Sequence, residues 1–164
     1  MNILNDLNLS IKLHRDGRKI VVATGCFDAL HLGHMQFLER AKALGDVLWV
    51  GVPDDAAVAA LKGNDRPLYS AKERVEMLSF LTCVDYTTIY SSPTPTEWLD
   101  VIQPHIYVKG EEYATKDLPE RAVVEGYGGE VILLPQQHEH STTGVVDRVI
   151  KNYICPGCSV GGEK

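Results

Sequence analysis

Lys19-Ile20-Val21-Val22-Ala23-Thr24-Gly25-Cys26-Phe27-Asp28-Ala29-Leu30-His31-Leu32-Gly33-His34 passes from a β-branched run, through one glycine, into two histidines that flank a second. Beyond it a helix is predicted over residues 35–43, with Phe37, Leu38, Ala41 and Leu44 at helical spacings. The stretch therefore reads as strand, tight turn and helix. Gly25 permits close approach of backbone to a ligand, and Asp28 can tie down the turn through backbone hydrogen bonds. His31 and His34 can project toward a common oxygen-rich ligand, with Gly33 leaving room that a side chain would occupy. A histidine donates to phosphate and can become positive as negative charge accumulates in a transition state. On the residues alone, the pair suits phosphoryl or nucleotidyl transfer, two partly exposed structural histidines, or an incomplete metal site.

Working outward, residues 47–52 repeat the buried-strand pattern, 71–81 read as a helix and 84–90 as a strand. A short helix over 98–102 precedes a strand at 106–108, and a helix over 118–127 precedes a strand at 131–134. A last helix is expected from Ser141 through Val149, with Ser141 as its cap and its backbone donors open to an anion. Alternation of the two periods predicts an α/β fold with a mainly parallel sheet. Pro93 to Pro95 and the loops around Gly63 and Gly110 read as breaks within one domain, and internal repeats are absent.

The 164 residues, 45% of them hydrophobic, suffice for one domain with a core. Lys+Arg 16 against Asp+Glu 22 gives a net charge of −6, which argues against nucleic acid or an anionic membrane as partner. A phosphate ligand must then be held by a few placed groups. No apolar run approaches the roughly 20 residues needed to cross a bilayer, and Asn2, Asn5 and Asp6 do not suit a secretion signal. A cytoplasmic protein is expected. Cys26 and Cys83 lie alone; Cys155 and Cys158 form one CxxC, which reads as incidental cysteines in a tail, a redox pair or part of a metal site.

Other motifs accompany the histidines in order: Lys62-Gly63, Arg66-Pro67, Glu73-Arg74, Val108-Lys109-Gly110 and Ser141-Thr142-Thr143. From about residue 20 to 150 the set resembles the HxGH nucleotidyltransferase superfamily, which includes glycerol-phosphate cytidylyltransferases and the adenylyltransferase of ADP-heptose synthesis. Gly25-Cys26-Phe27-Asp28 and Gly128-Gly129-Glu130-Val131 bring it nearest the heptose 1-phosphate adenylyltransferase branch. The resemblance implies a Rossmann-like three-layer fold, helices on both faces of the sheet. A nucleotidyltransferase domain would occupy residues 1–152, and 153–164 would be a flexible tail or the start of an interdomain linker, with fusion to another catalytic domain in view.

The implied reaction is attack by an acceptor phosphate oxygen on the α-phosphorus of ATP or CTP, releasing pyrophosphate without a covalent intermediate. His31, His34, Lys62 and Arg74 would be catalytic. Lys62 would close over the phosphates, unless it is an exposed loop lysine; Arg74 would hold phosphate or nucleotide, unless it forms a surface ion pair. Thr24, Gly25, Cys26, Phe27 and Gly33 would border the nucleotide, together with Lys109, Gly110, Glu112, Tyr113, Ser141, Thr142 and Thr143. Asp28, Asp55 and His140 would face the acceptor, although Asp28 could serve only the turn and Cys26 only packing. Mg2+ would bridge the phosphates, held largely by the substrate rather than by protein ligands. A homodimer follows family practice.

This chain departs from the heptose pattern in Pro53-Asp54 before Asp55, in Glu111-Glu112 after Lys109-Gly110, in Glu139-His140 before Ser141, and in Gly144. A cytidylyltransferase acting on a small phosphonate or polyol phosphate is the alternative enzyme reading, because pocket details decide specificity. A nucleotide-binding regulatory module without turnover is the alternative of another class. His138-Glu139-His140 reads as a solvated loop, a phosphate contact or, lacking a third ligand, an unconvincing metal centre.

Overall fold

The computed structural model describes residues 3–135. Five runs rich in β-branched and aromatic residues form its sheet: β1 (Ile20–Thr24), β2 (Val47–Pro53), β3 (Tyr86–Tyr90), β4 (Ile106–Gly110) and β5 (Glu130–Leu134). They lie in the order β3-β2-β1-β4-β5, and every neighbouring pair is parallel. β1 and β2 are buried along their whole length, which is why their sequences read as unbroken apolar runs.

Side-chain alternation sends Val21 and Ala23 to one face and Ile20 and Val22 to the other. On the first face they meet Leu38 and Ala41 of α2 (Leu32–Lys42) and Leu78 of α4 (Ala71–Ser79). On the second, Trp49 and Tyr107 join Leu13 of α1 (Ile3–Arg15), Trp98 and Ile102 of α5 (Thr96–Ile102), and Val124 of α6 (Glu120–Gly126). The three-layer α/β architecture expected from the sequence is the one observed.

Two helices go beyond the sequence reading. α1 adds polar contacts to its buried Leu13: Ser10 Oγ donates to Ile102 O at 2.5 Å, and Asp6 Oδ2 accepts from Trp98 Nε1 at 3.0 Å. α3 (Asp55–Lys62) starts where the Asp54 carboxylate accepts from the Ala57 amide at 2.8 Å and stops at Gly63, whose φ of 100° suits glycine. α2 begins at Leu32 rather than residue 35, because His31 is the last extended residue, φ −142° and ψ 168°. His34 therefore sits in the first helical turn. The helix expected from Ser141 through Val149 and the 153–164 tail lie outside the described residues. Among the described residues no helix is long and apolar enough to cross a membrane.

The chain runs from β1 to β2 on one side, while β4 pairs with β1 on the other. Connections leaving the carboxyl ends of β1 and β4 diverge at this point, opening the crevice in which parallel sheets commonly bind ligands. A hydrogen bond between Thr24 Oγ1 and Tyr107 OH, 2.7 Å, spans it. Behind the crevice Trp98 stacks on Tyr90 and meets Trp49 edge-on, and its ring occupies the space a side chain at Gly51 would need. Trp98→Ala should lower unfolding free energy by about 3–5 kcal/mol in urea titration, the usual cost of emptying a buried aromatic site. A loss below about 1 kcal/mol would show that the second core does not depend on this ring.

Candidate active site

The loop after β1 crosses the crevice under two constraints. Phe27, buried, holds a positive φ of 47°, a conformation that costs a non-glycine residue about 1–3 kcal/mol and needs surrounding support. Its ring also fills the space beside Gly25, where a Cβ would come within 3.0 Å. Asp28, 1% exposed, supplies part of the support: Oδ1 accepts from the Leu68 and Tyr69 amides at 2.6 and 3.1 Å, and Oδ2 pairs with Arg66 Nη2 at 2.5 Å. The turn-holding role is thus visible.

Arg74 supplies the rest. It is fully buried, so the surface ion pair considered from sequence is not what forms. Its guanidinium donates to Tyr69 O at 3.0 Å, Cys26 O at 2.9 Å, Pro53 O at 2.9 Å and Asp55 Oδ1 at 2.8 Å. Adjacent Glu73 turns away to complete a capping box with Ser70 at the start of α4. Asp55 accepts additionally from the Ala71 amide at 2.7 Å, fastening the start of α3 to that of α4. In this geometry Arg74 and Asp55 hold loops together.

On the loop so held, the His31 and His34 rings stack with centroids 3.8 Å apart and 23° between planes, and Phe27 meets His34 edge-on with centroids 5.3 Å apart. Burial, then the charge of His31, then that of Lys62 lower the His34 pKa to about 4, against a hydrogen bond to the Ala29 backbone that raises it. His34 is consequently neutral at pH 7 and surrounded by groups that repel a second positive charge. An anion beside the pair reverses that balance. Lys62 ends α3, exposed, with Gly63 behind it, and its charge acts on His34.

A second set of groups lines the other side. Lys109 at the end of β4 is 8% exposed, with Nζ 4.6 Å from the Tyr113 ring centroid and 5.9 Å from that of Tyr107. Burial lowers its pKa, while Glu120, Cys26 and Glu112 oppose the shift. Cys26 acts on Lys109 and Tyr113, and Thr24 bonds to Tyr107. Glu112 lies in a short 3-10 turn (Glu111–Tyr113), and its carboxylate takes the space a Cβ at Gly110 would need. Gly33 lies in the first turn of α2. His140, Ser141, Thr142 and Thr143 lie outside the described residues, as do His138, Cys155 and Cys158. Tyr90, Tyr107 and Glu120 were missed from sequence; only folding brings these distant residues to one end of the sheet.

The cytidylyltransferase-like family model matches residues 22–152. The bifunctional protein HldE of Geobacter metallireducens is 42% identical over 137 residues, 84% of this chain and 28% of the relative. That of Syntrophotalea carbinolica is 40% identical over 139 residues, 85% and 28%. The chain spans under a third of the length of these relatives. Among solved structures, a lipopolysaccharide core biosynthesis protein from Thermoplasma volcanium superposes with TM-score 0.60 and 28% identity, covering 76% of this chain and all of that one. A pantoate-beta-alanine ligase from Francisella tularensis, TM-score 0.61 at 16% identity, covers 84% of this chain and 66% of its own, and shares the fold.

The depressed His34 pKa has a definite sign. Between about 4 and the ordinary 6.5, the unfolded chain binds a proton that the folded one does not, so stability falls as pH drops through that window. A triphosphate bound at the histidines should raise this pKa and draw in a proton. Calorimetry of triphosphate binding within the same window, in buffers of different ionisation enthalpy, should show net proton uptake that His34→Asn removes. A binding heat independent of buffer would contradict the assignment.

Proposed function

The chain belongs to the cytidylyltransferase-like family, and from that membership we propose that it transfers a nucleotidyl group from a nucleoside triphosphate to a sugar phosphate, releasing pyrophosphate. The observation that carries the proposal is the stacked His31–His34 pair on the loop that leaves β1 at the switch point, with the charge of Lys62 acting on His34. His31, His34 and Lys62 are three groups able to donate to phosphate oxygens, while the fold ties the carboxylates of Asp28 and Asp55 into its own loops.

Such a site performs displacement by alignment and charge. A phosphate oxygen of the acceptor forms a bond to the α-phosphorus, and the bond to the β-bridging oxygen breaks as pyrophosphate leaves. His31 and His34 donate to the oxygens on which charge builds, and Lys62 draws the leaving phosphates toward the end of α3. No side chain needs to form a covalent bond. The donors at the phosphate end are imidazoles and an ammonium, and no cluster of three His, Cys, Asp or Glu among the described residues is arranged to hold a metal. Mg2+ would serve here as the counter-ion of the triphosphate, neutralising phosphate charge.

The HldE likeness supports ATP as donor and heptose 1-phosphate as acceptor. Those relatives are described as bifunctional, and this chain matches 28% of their length, the part to which the transfer reading applies. Pyrophosphate release should appear with ATP and heptose 1-phosphate in a matrix that also offers CTP, glycerol 3-phosphate and hydroxyalkyl phosphonates. His31→Ala and His34→Asn should each lower kcat about 10²–10³-fold, the usual effect of removing one transition-state donor. Turnover only with CTP would select the cytidylyltransferase reading, and triphosphate binding without turnover across the matrix would make the chain a nucleotide-binding module.

A further inference from the structure

α3 is fastened firmly at one end only. Its start is tied by the Asp54 cap and by the Asp55 carboxylate, which meets both Arg74 and the Ala71 amide. Of its eight residues Val58 alone is buried, so no core contact holds the last turn, which carries Lys62. An exposed helix end with so little packing opens readily. Gly63 follows with a φ of 100° and open space where a Cβ would lie, so it supplies no anchor either.

The anchor lies a few residues further on. The Arg66 amide donates to Gly63 O at 3.1 Å, closing a tight turn directly behind Lys62. From that turn the Arg66 side chain crosses to the loop after β1 and sets Nη2 2.5 Å from Asp28 Oδ2. The other Asp28 oxygen takes the Leu68 and Tyr69 amides, further along the same return segment. One buried carboxylate thus holds the connection between α3 and α4, and Arg66 is its contact nearest Lys62 in the chain. The steps from Asp28 to His31 and from Arg66 to Lys62 span at most about 11 and 14 Å even if fully extended, and the turn shortens the second. Arg66 is not placed as a group kept for stability alone. It grips Asp28 through one nitrogen, while its Nε is buried with no hydrogen-bond partner among the described residues, a condition that costs stability.

We propose that Arg66 is a positioning residue for the transfer reaction: by latching the turn behind Lys62 to Asp28, it holds the end of α3, and with it the Lys62 ammonium, at the loop that carries His31 and His34. The inference rests on the transfer reading above and adds a residue that acts through another. Its effect must therefore vanish when Lys62 has no charge to place. A latch that served the fold alone would act equally with and without that charge.

The test is a double-mutant cycle of Arg66→Gln and Lys62→Met, read in kcat for pyrophosphate release and in the His34 pKa followed by NMR on the substrate-free chain. The charges that lower this pKa are those of His31 and Lys62. Lys62→Met should therefore raise it above about 4, Arg66→Gln should raise it by a smaller step, and the double variant should match Lys62→Met. In kcat, Arg66→Gln should cost about 10²-fold, the scale of a misplaced catalytic group, with no further loss when added to Lys62→Met. Arg66→Lys, whose point charge on a flexible stem fixes the turn less firmly, should show the same signs at smaller size, and it carries the cycle if Arg66→Gln does not fold. Should wild type turn nothing over, the transfer reading fails, and the NMR arm alone decides the latch. Additive effects of the two substitutions, a His34 pKa that either leaves unmoved, or a fall in Tm with kcat and pKa unchanged would overturn it.

Discussion

A guanidinium with no access to water holds this site together. Removing such an ion from solvent costs several kcal/mol unless its hydrogen bonds are replaced, and leaving it unpaired is costlier still. Arg74 meets that demand with one carboxylate and three carbonyls, drawn from the loop after β1, the end of β2, the start of α3 and the segment entering α4. A lysine, with a single point charge on a flexible stem, could not span the same four acceptors. The strained Phe27 and the stacked histidines hang from this knot, and Asp28 closes it from the other side through the Leu68 and Tyr69 amides. Rigidity at the loop thus comes from charge buried beneath it.

The switch point then divides the ends of the strands by charge. One side carries the stacked imidazoles, on which the exposed Lys62 acts, while the other seats Lys109 against the Tyr113 ring. A chain of net charge −6 has no general attraction for anions, so the phosphates must be drawn by these placed groups alone. The neutral His34 matters for the same reason. Burial and the neighbouring charges hold His34 neutral, and an arriving anion would supply the field that makes the proton stay.

The strands and the histidine motif were legible because both are local: an apolar run buried on two faces reads directly, and the glycine spacing survives in any context. α1 was not read, because Asn5, Asn8 and Ser10 weaken its propensity and its docking includes polar contacts with α5. α3 was legible in principle, since Asp54 ahead of an alanine-rich run is a capping signal, but Pro53-Asp54-Asp55 drew attention as a binding loop. Arg74 was recognised as important, yet its neighbour Glu73 suggested a surface pair; its real partners include Cys26 and Pro53, 48 and 21 positions away.

The claim on which the rest depends is that Arg74 joins the loops into one unit, and hydrogen exchange measured on Arg74→Lys tests it most directly. Amide protection should fall together in residues 26–31, 54–57 and 68–71, while the central strands β1 and β2 keep theirs. Loosening confined to 68–71, with the histidine loop as protected as in wild type, would contradict it.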